Sequence, residues 1–445
     1  MKAEEYLHIL TDQMRCKMVR DAVAEELRWH IDDQKAAYMS EGMESTEAEE
    51  AAVREMGDPV ETGQEMDRIH RPKMPWGTIA LIAVLSVIGI AAQQLVQAKV
   101  VEAGGDSWIS PRWLLYLITS ILVMTGICFV DYTRIALRAR ELMILLWLAM
   151  LAGQLFFGAM VNGVRQWIWA GVISINVPIM LLLTVPLYAA VLYRYRGEGY
   201  AAVGKAVLWM LPGLWLMISC PNVSMTVLLF FAYVAVLAAA VWKKWFRVSR
   251  KRTLTGLAVG GVMLPAAGCL CFWLFGTEYQ RERLSVLLDP GSQVYGYMQT
   301  AVRTLIDGSR MVGANPDPET VTNVLMSDYV LTGVASYYGL LVAAVLAGLM
   351  LALFIWFIRG ALGQKNQLGM LMGTGCSAVF LLQALFYVAN NLGVVRPMVS
   401  YCPFFTYGGS GMIISYAMMG IILSIFRYQN TAPERKTYRR LFRPD

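Results

Sequence analysis

Ten stretches of this chain are apolar for long enough to cross a lipid bilayer, and no other feature limits its fold as strongly. A membrane-spanning helix needs about 20 apolar residues, because the hydrocarbon core is about 30 Å thick. Backbone groups in lipid must be paired within the protein, which restricts spanning segments to helices and closed barrels. The sequence therefore predicts an all-α polytopic membrane protein with ten spans, at about residues 76–95, 113–130, 142–160, 171–192, 202–219, 223–241, 254–275, 329–358, 369–390 and 409–426.

The charges between these stretches predict the orientation of the spans. Basic residues cluster in alternate loops, around residues 134–140, 194–196, 243–252 and 359–365, and short basic loops stay on the cytoplasmic side. An even number of spans then places both termini in the cytoplasm, with a basic tail at residues 429–445. Because the basic residues lie in these loops, they indicate topology, and we exclude a nucleic-acid partner.

Residues 1–71 differ from the rest of the chain in charge and in pattern. They hold 18 of the 32 acidic residues and 9 of the 38 basic residues. Thr46 and Glu49 have the spacing of a capping box, and Asp58-Pro59 that of an N-cap followed by N1. Helical spacing predicts a small cytoplasmic helical domain whose amphipathic faces must pack on something; their apolar residues are Leu7, Leu10, Met14, Val19, Val23, Leu27 and Ile31. This segment resembles the prefix domain found ahead of assorted bacterial permease-like proteins.

The predicted spans lack histidine and acidic residues, and this excludes several kinds of chemistry. His8, His30 and His70 all precede the first span, so the membrane part has no Ser-His-Asp, Cys-His or histidine-metal site. No Asp or Glu lies inside an apolar run, which argues against a proton-pumping relay. Cys220 and Cys402 fall in predicted outer loops, where either a disulfide or two free thiols would fit.

Two outer features are candidates for a functional site. Segment 394–413 is a polar loop broken by Pro397, Pro403 and Gly408-Gly409. Irregular backbone at a membrane boundary must be buried in protein or line a cavity, and the alternative is a plain re-entry turn. Asp328 closes the long outer loop 276–328. Desolvation there could bring its carboxyl into the range of a general base, and the alternative is an N-cap of the eighth span.

Several short motifs follow one another in order along the membrane part. Residues 403–411 read P-F-F-T-Y-G-G-S-G, residues 162–168 read N-G-V-R-Q-W-I, and residues 283–290 read R-L-S-V-L-L-D-P. They are similar to P-F-x-S-Y-G-G-S-S, N-G-A-R-R-W-I and R-x-x-x-F-L-D-P of the SEDS family, which includes FtsW, RodA and SpoVE. Gln383, followed by N-L-G at 391–393, matches the family's Q and N-I-G. The resemblance covers about residues 76–428.

This resemblance implies a function at the bacterial cytoplasmic membrane. SEDS proteins polymerise lipid II, the undecaprenyl diphosphate-linked disaccharide, into peptidoglycan strands in elongation, division or sporulation, together with a class B penicillin-binding protein. The run M-S-D-Y-V-L resembles H-T-D-F-I-F, which places Asp328 on the family's catalytic Asp. Arg165 and Arg396 could grip a diphosphate or extend to lipid headgroups. The substrate-binding residues implied are Arg165, Arg396, Asn391, Tyr407, Gly408, Gly409 and Ser410, with no metal ligand among them.

Three acidic features of the family are absent from this chain. A-S-Y at 335–337 replaces G-E-E, N-V-P-I at 176–179 replaces Q-P-S-E, and C-P-N-V-S at 220–224 replaces Q-P-D-L-G. Such carboxylates could bind a divalent cation or orient the acceptor, so no cofactor is assigned and a divalent cation stays open. The alternative function is a catalytically degenerate SEDS-like scaffold, or a binder or flippase of a lipid-linked sugar, that regulates cell-wall synthesis.

Overall fold

The computed structural model describes residues 1–15, 17–102, 104, 107, 112–161, 164–170, 173–220, 222–275, 281, 297–315, 327–394 and 401–429. Four helices precede the membrane part: α1 (Ala3–Asp12), α2 (Lys17–Ser40), α3 (Ser45–Glu55) and α4 (Pro59–His70). They enclose a hydrophobic core of their own, which contains all seven apolar residues of the predicted amphipathic faces, together with Tyr6, Ala52 and Val53. The amphipathic faces predicted for residues 1–71 therefore pack in this core.

The two helix starts predicted in this domain have different outcomes. Asp58 is the N-cap of α4, as predicted: its Oδ1 accepts hydrogen bonds from the N–H groups of Val60 (2.7 Å) and Glu61 (3.4 Å). The capping box at Thr46 and Glu49 is wrong, because the N-cap of α3 is Glu44 and no side chain caps that helix. The Glu49 carboxylate is instead used in tertiary contacts.

The described residues of the membrane part contain ten apolar helical segments, as predicted. Within the described residues, nine of them have the length and composition of a membrane span, and the tenth, at Trp113–Phe129, is shorter at 17 residues. A short helix, α7 (Tyr132–Leu137), lies between two of them. In chain order the spanning segments are α5 (Trp76–Glu102), α6 (Trp113–Phe129), α8 (Ala139–Phe157), α9 (Val177–Leu181) with α10 (Thr184–Arg194), α11 (Tyr200–Ser219), α12 (Val223–Trp242), α13 (Arg250–Phe275), α16 (Leu340–Leu362), α17 (Gln367–Asn391) and α18 (Gly409–Arg427).

A small antiparallel sheet follows α8, which the sequence did not predict. Strands β1 (Gly158–Val161), β2 (Val164–Ala170) and β3 (Ile173–Asn176) pair in sequence order, with Trp167 opposite Asn176. The predicted third and fourth spans extended into this sheet at residues 158–160 and 173–176. Strands rich in Ile, Val and Trp have the same hydropathy as a span, so hydropathy could not distinguish them.

The predicted eighth span, 329–358, is two helices and not one. Helix α15 (Val330–Tyr338) ends at Gly339, which has a φ of 109°, and α16 begins at the next residue. The N–H groups of Leu340 and Leu341 donate to the carbonyls of Arg310 and Met311, at 3.0 and 3.1 Å. A Cβ at Gly339 would lie 2.7 Å from the Met311 carbonyl oxygen. The break thus requires glycine, and residues 310 and 311, before α15, supply the acceptors for the new helix start.

The two cysteines that could have formed a disulfide are both free and buried. The Cys220 thiol accepts a hydrogen bond from Gln154 Nε2 at 2.8 Å, and Cys402 Sγ lies 3.2 Å from Met350 Sδ. Each thiol has a different neighbour within the membrane part, so the alternative of two free thiols is the correct one.

Candidate active site

Asp328 lies on a short 3-10 turn, Ser327–Tyr329, immediately before α15. Its side chain is half-buried. The N-cap residue of α15 is Tyr329, whose side chain makes no capping hydrogen bond. The N-cap position of α15 is therefore Tyr329 and not Asp328, contrary to the alternative role for this residue.

The turn is fastened to α17 by the side chain of Asn391, which is buried. Asn391 Nδ2 donates to the carbonyls of Asp328 (3.1 Å) and Tyr387 (3.0 Å). Its Oδ1 accepts from the N–H of Thr332 at 3.0 Å and from the Thr332 hydroxyl at 3.1 Å. All the hydrogen-bonding capacity of this amide is used inside the protein. Asn391 thus has the geometry of a positioning residue for Asp328, and Thr332 is a partner that sequence reasoning missed.

The P-F-F-T segment at residues 403–406 is packed inside the protein. Residues 401–406 are all buried, and they form a turn in which the N–H of Cys402 donates to Thr406 Oγ1 and the N–H of Thr406 donates to the Cys402 carbonyl, both at 3.0 Å. Phe404 has a φ of 74° and its carbonyl accepts a hydrogen bond from Gln93 Nε2 of α5 at 2.6 Å. A non-glycine residue in this region is strained unless its surroundings hold it. The turn at residues 401–406 is therefore held in place by specific contacts.

This buried turn is connected by packing to the helix that holds Asp328. The Phe405 ring lies 6.4 Å, between centroids, from the ring of Tyr387. Tyr387 is one helical turn before Asn391, and its carbonyl is one of the two acceptors of the Asn391 amide. The turn at residues 401–406 and the Asp328 turn thus both pack against the end of α17.

The accessible edge of the loop is Tyr407, Gly408, Gly409 and Ser410, each half-buried. A Cβ at Gly408 would meet only the ring of Tyr401, at an ordinary 3.5 Å. A Cβ at Gly409 would lie 2.7 Å from the ring of Tyr116 on α6. The absence of a side chain at Gly409 is therefore used for close packing of α18 against α6, and Gly408 has the less crowded position.

The small sheet brings Arg165 to the same edge. Ser410 Oγ accepts a hydrogen bond from the N–H of Asn176 at 3.3 Å, and Asn176 is the last residue of β3. Arg165 lies on β2, two residues before Trp167, the partner of Asn176. Its side chain is exposed, and its carbonyl accepts from Gln154 Nε2 at 3.2 Å. Because the Arg165 side chain is exposed and its strand pairs with the strand whose last residue donates to Ser410, its guanidinium could reach an anion near Ser410.

Arg396 lies outside the described residues. Close to it in the sequence, the carbonyl of Gly393 accepts a hydrogen bond from Arg303 Nε at 2.8 Å. Arg303 belongs to α14 (Tyr297–Asp307), a helix within the segment that the sequence predicted as a long loop. Its amphipathic spacing was the signal that could have identified it.

The position of the family's G-E-E motif holds hydroxyl groups in this chain. Ser336 is fully buried, and the hydroxyls of Ser336 and Tyr337 have no hydrogen-bond partner among the described residues. No group of three or more His, Cys, Asp or Glu with the arrangement of a metal site occurs in the described part of the chain. Within that part, the residues present therefore do not form a conventional carboxylate site for a divalent cation.

Comparison with known proteins matches the membrane part to one family. The model of the FtsW/RodA/SpoVE family, described as cell cycle proteins, matches residues 72–431. The chain is 26% identical over 378 residues to "Probable peptidoglycan glycosyltransferase FtsW" of Alcanivorax borkumensis, covering 80% of this chain and 92% of that protein. It is 26% identical over 294 residues to "Peptidoglycan glycosyltransferase MrdB" of Escherichia coli, covering 61% of this chain and 74% of that protein. Alignments with FtsW relatives span from 59% to 92% of the relative's length.

A solved structure has the same fold. One chain of the structure described as "Structural coordination of polymerization and crosslinking by a peptidoglycan synthase complex" superposes with a TM-score of 0.64 at 21% identity, covering 80% of this chain and 98% of that chain. At this identity the likeness is one of fold. Because the family model covers well over half of the sequence, the chain belongs to the FtsW/RodA/SpoVE family of cell cycle proteins.

Proposed function

We propose that this protein is a peptidoglycan glycosyltransferase that polymerises lipid II on the outer face of the bacterial cytoplasmic membrane. The observation that carries the proposal is the position of Asp328, a half-buried carboxylate on a turn whose backbone is held by Asn391. A general base must be held in place and partly removed from water, so that its proton affinity and its geometry suit the transfer. Homologues that are named peptidoglycan glycosyltransferases support the same reaction class.

In the proposed reaction, Asp328 takes the proton from the acceptor hydroxyl as that oxygen attacks the anomeric carbon of the donor. The bond from this carbon to the diphosphate oxygen breaks, and undecaprenyl diphosphate leaves with the electron pair. Arg165 would pair with the diphosphate, and the loop edge at Tyr407, Gly408 and Ser410 would bound the site. Arg396 is proposed as a second contact to the diphosphate. The reaction would serve elongation, division or sporulation with a class B penicillin-binding protein as the transpeptidase partner.

The test is polymerisation of lipid II by the purified full-length protein, alone and with candidate class B penicillin-binding proteins. We expect glycan strands from the native protein and a loss of about 10²- to 10⁴-fold in rate for Asp328→Asn, the usual contribution of a general base. Asp307→Asn is the matched control, because Asp307 is an exposed carboxylate at the end of α14. Polymerisation at the native rate by Asp328→Asn would contradict the assignment.

A second candidate function is a scaffold or binder without turnover, which the G-E-E position favours. There the buried Ser336 and the hydroxyl of Tyr337 stand where the family has two carboxylates. This function predicts that the protein binds lipid II, that Arg165→Gln weakens this binding, and that no glycan forms with any candidate penicillin-binding protein. Glycan formation that depends on Asp328 would exclude it.

A further inference from the structure

Arg303 connects α14 to the residues that follow α17. Its Nε donates to the carbonyl of Gly393 at 2.8 Å. Gly393 has a φ of 64°, and a Cβ at this residue would lie 2.7 Å from Cγ of Arg303. The aliphatic part of the arginine therefore fills the space beside the glycine where a side chain would otherwise lie. The two residues are joined by close packing as well as by a hydrogen bond.

The carbonyl that Arg303 binds lies just beyond a closed helix end. The N–H of Gly393 donates to the Asn390 carbonyl and the N–H of Val394 donates to the Ala389 carbonyl, both at 3.0 Å. These two bonds form a Schellman motif, with glycine at its left-handed position. They use carbonyls that belong to α17. The carbonyl of Gly393 is outside the helix and takes a donor from another element, and Arg303 is that donor.

The helix end closed in this way carries Asn391, two residues before Gly393. Asn391 Nδ2 donates to the carbonyl of Asp328 at 3.1 Å, and its Oδ1 accepts from the N–H of Thr332 at 3.0 Å. The connection from Arg303 to the Asp328 turn therefore consists of two hydrogen bonds and three consecutive residues of the main chain. A change at Arg303 can reach Asp328 through this short connection.

The residues that follow α14 bind the opposite end of α15. The N–H of Gly313 donates to the Tyr338 carbonyl at 3.2 Å, and the N–H of Asn315 donates to the Ser336 carbonyl at 2.7 Å. The apolar face of α14 itself is buried and consists of Ala301, Val302 and Leu305. Helix α15 is thus held at its start by α17 and at its end by the segment after α14. Arg303 links these two supports to each other.

The guanidinium of Arg303 is at the surface, although its stem and Nε are used in this contact. Arg303 is an exposed residue, so water can solvate its positive charge. The contact with Gly393 needs an N–H donor at the position of Nε and an unbranched stem. It does not need the charge, which gives a way to separate the two properties by substitution.

We propose that Arg303 is a positioning residue for Asp328, which acts by fixing the end of α17 that carries Asn391. Loss of the contact with Gly393 would let the Asp328 turn move relative to the substrate, and a small displacement of a catalytic group lowers the rate of reaction. Because Arg303 acts through Asn391 and not on the substrate, its loss should lower kcat and leave KM unchanged. The kinetic part of this inference rests on the proposed function, but the effect on the turn can be measured without turnover.

Hydrogen exchange at residues 327–332 of the purified full-length protein tests the positioning directly. Arg303→Met keeps an unbranched stem and removes the donor, so exchange should become about three- to tenfold faster, as expected for one hydrogen bond. Arg303→Gln has an amide nitrogen the same number of bonds from Cα as Nε and has no charge, and it should exchange at nearly the native rate. Arg310→Met is the matched control, because Arg310 is exposed and only its carbonyl makes a contact.

The rate of lipid II polymerisation distinguishes positioning from contact with the substrate. Arg303→Met should lower kcat about three- to tenfold at an unchanged KM, and Arg303→Gln should restore kcat. In the Asn391→Leu background, Arg303→Met should add little to the exchange rate, because the connection is already broken.

Three results would overturn the proposal. The first is native exchange at residues 327–332 in Arg303→Met, and the second is an effect of Arg310→Met that is equally large. The third is a raised KM in both Arg303→Met and Arg303→Gln, which would show that the charge itself contacts the anionic substrate. If the native protein formed no glycan with any partner, the proposed function would fail, and the exchange rates would still decide whether Arg303 holds the turn.

Discussion

The amide of Asn391 offers the sharpest test of how the Asp328 turn is held. Replacement by leucine keeps the size of the side chain and removes every side-chain hydrogen bond that it makes. The carbonyl of Asp328 would lose its Nδ2 donor and the N–H of Thr332 would lose its Oδ1 acceptor. The Tyr387 carbonyl would keep a partner, because it lies within α17 and accepts the backbone N–H four residues later in the helix.

The expected magnitude follows from these two groups. The Thr332 N–H is buried, and leaving it without a partner costs about 1–3 kcal/mol. The Asp328 carbonyl belongs to a half-buried residue, where water can replace the lost donor, so Asn391→Leu should destabilise the protein by about 1–3 kcal/mol. This is a large part of the 5–15 kcal/mol that is typical of a folded domain. Because the loss is at the turn, we expect residues 327–332 to exchange amide hydrogens faster before the rest of the membrane part unfolds.

Hydrogen exchange and thermal unfolding of the purified protein measure both effects. Ser377→Ala is the matched control on the same helix: its hydroxyl is buried but donates only to the Gly373 carbonyl one turn earlier, at 2.7 Å. That variant should cost less than about 1 kcal/mol and should not alter exchange at the turn. The reasoning is refuted if Asn391→Leu leaves exchange at residues 327–332 unchanged, or if Ser377→Ala accelerates it as much.

Three further predictions follow from other parts of the chain. Gly339→Ala should lower the melting temperature, since a φ of 109° costs a side chain about 1–3 kcal/mol and its Cβ would meet the Met311 carbonyl. Gly348→Ala, where a Cβ meets nothing, should be neutral or stabilising, and equal effects of the two would contradict this explanation. Hydrogen bonds from Lys35 and from the N–H of Ala3 lower the pKa of Glu49 below its ordinary value of 4.5. The contribution of the Glu49 carboxylate to the stability of α1–α4 should therefore be complete above pH 4.5 and be lost as pH falls through the lowered pKa. Amide hydrogen exchange in α3 should become faster as pH falls through this pKa in the native protein but not in Glu49→Gln. A difference in exchange between the two proteins that does not change with pH would contradict this prediction. Deletion of residues 1–71 should leave the membrane part inserted and folded, because the two hydrophobic cores are separate, and failure of the truncated chain to insert would show that the first helices are required.

The local chemistry of the sequence was enough where neighbours in the chain decide the structure. The core of α1–α4 followed from 3.6-residue periodicity, and the start of α4 followed from Asp58-Pro59, because both depend on contacts within a few residues. The apolar segments followed from hydropathy for the same reason, because about twenty apolar residues can cross the bilayer whatever they pack against. Among the described residues, nine of the ten have the length and composition of a span, and the tenth is a shorter apolar helix. Family motifs singled out Asp328 as the candidate catalytic residue, which stays a prediction, and they did not show how its turn is held.

Tertiary structure decided the features that depend on partners far away in the chain. The break at Gly339 needs the carbonyls of Arg310 and Met311, and an apolar run gives no sign of it because both helices have the same hydropathy. Glu49 could have capped α3, but Lys35 and Ala3 provide better partners. Asn391 was recognised as part of a motif. Its hydrogen bonds to the Asp328 carbonyl and the Thr332 N–H, however, depend on the packing of α15 against α17. Any sufficiently long apolar segment is stable in lipid whatever its neighbours are, so the sequence alone determined which segments enter the membrane. The hydrogen-bond partner of each polar group depends on how those segments pack against one another, and only the tertiary structure determined that.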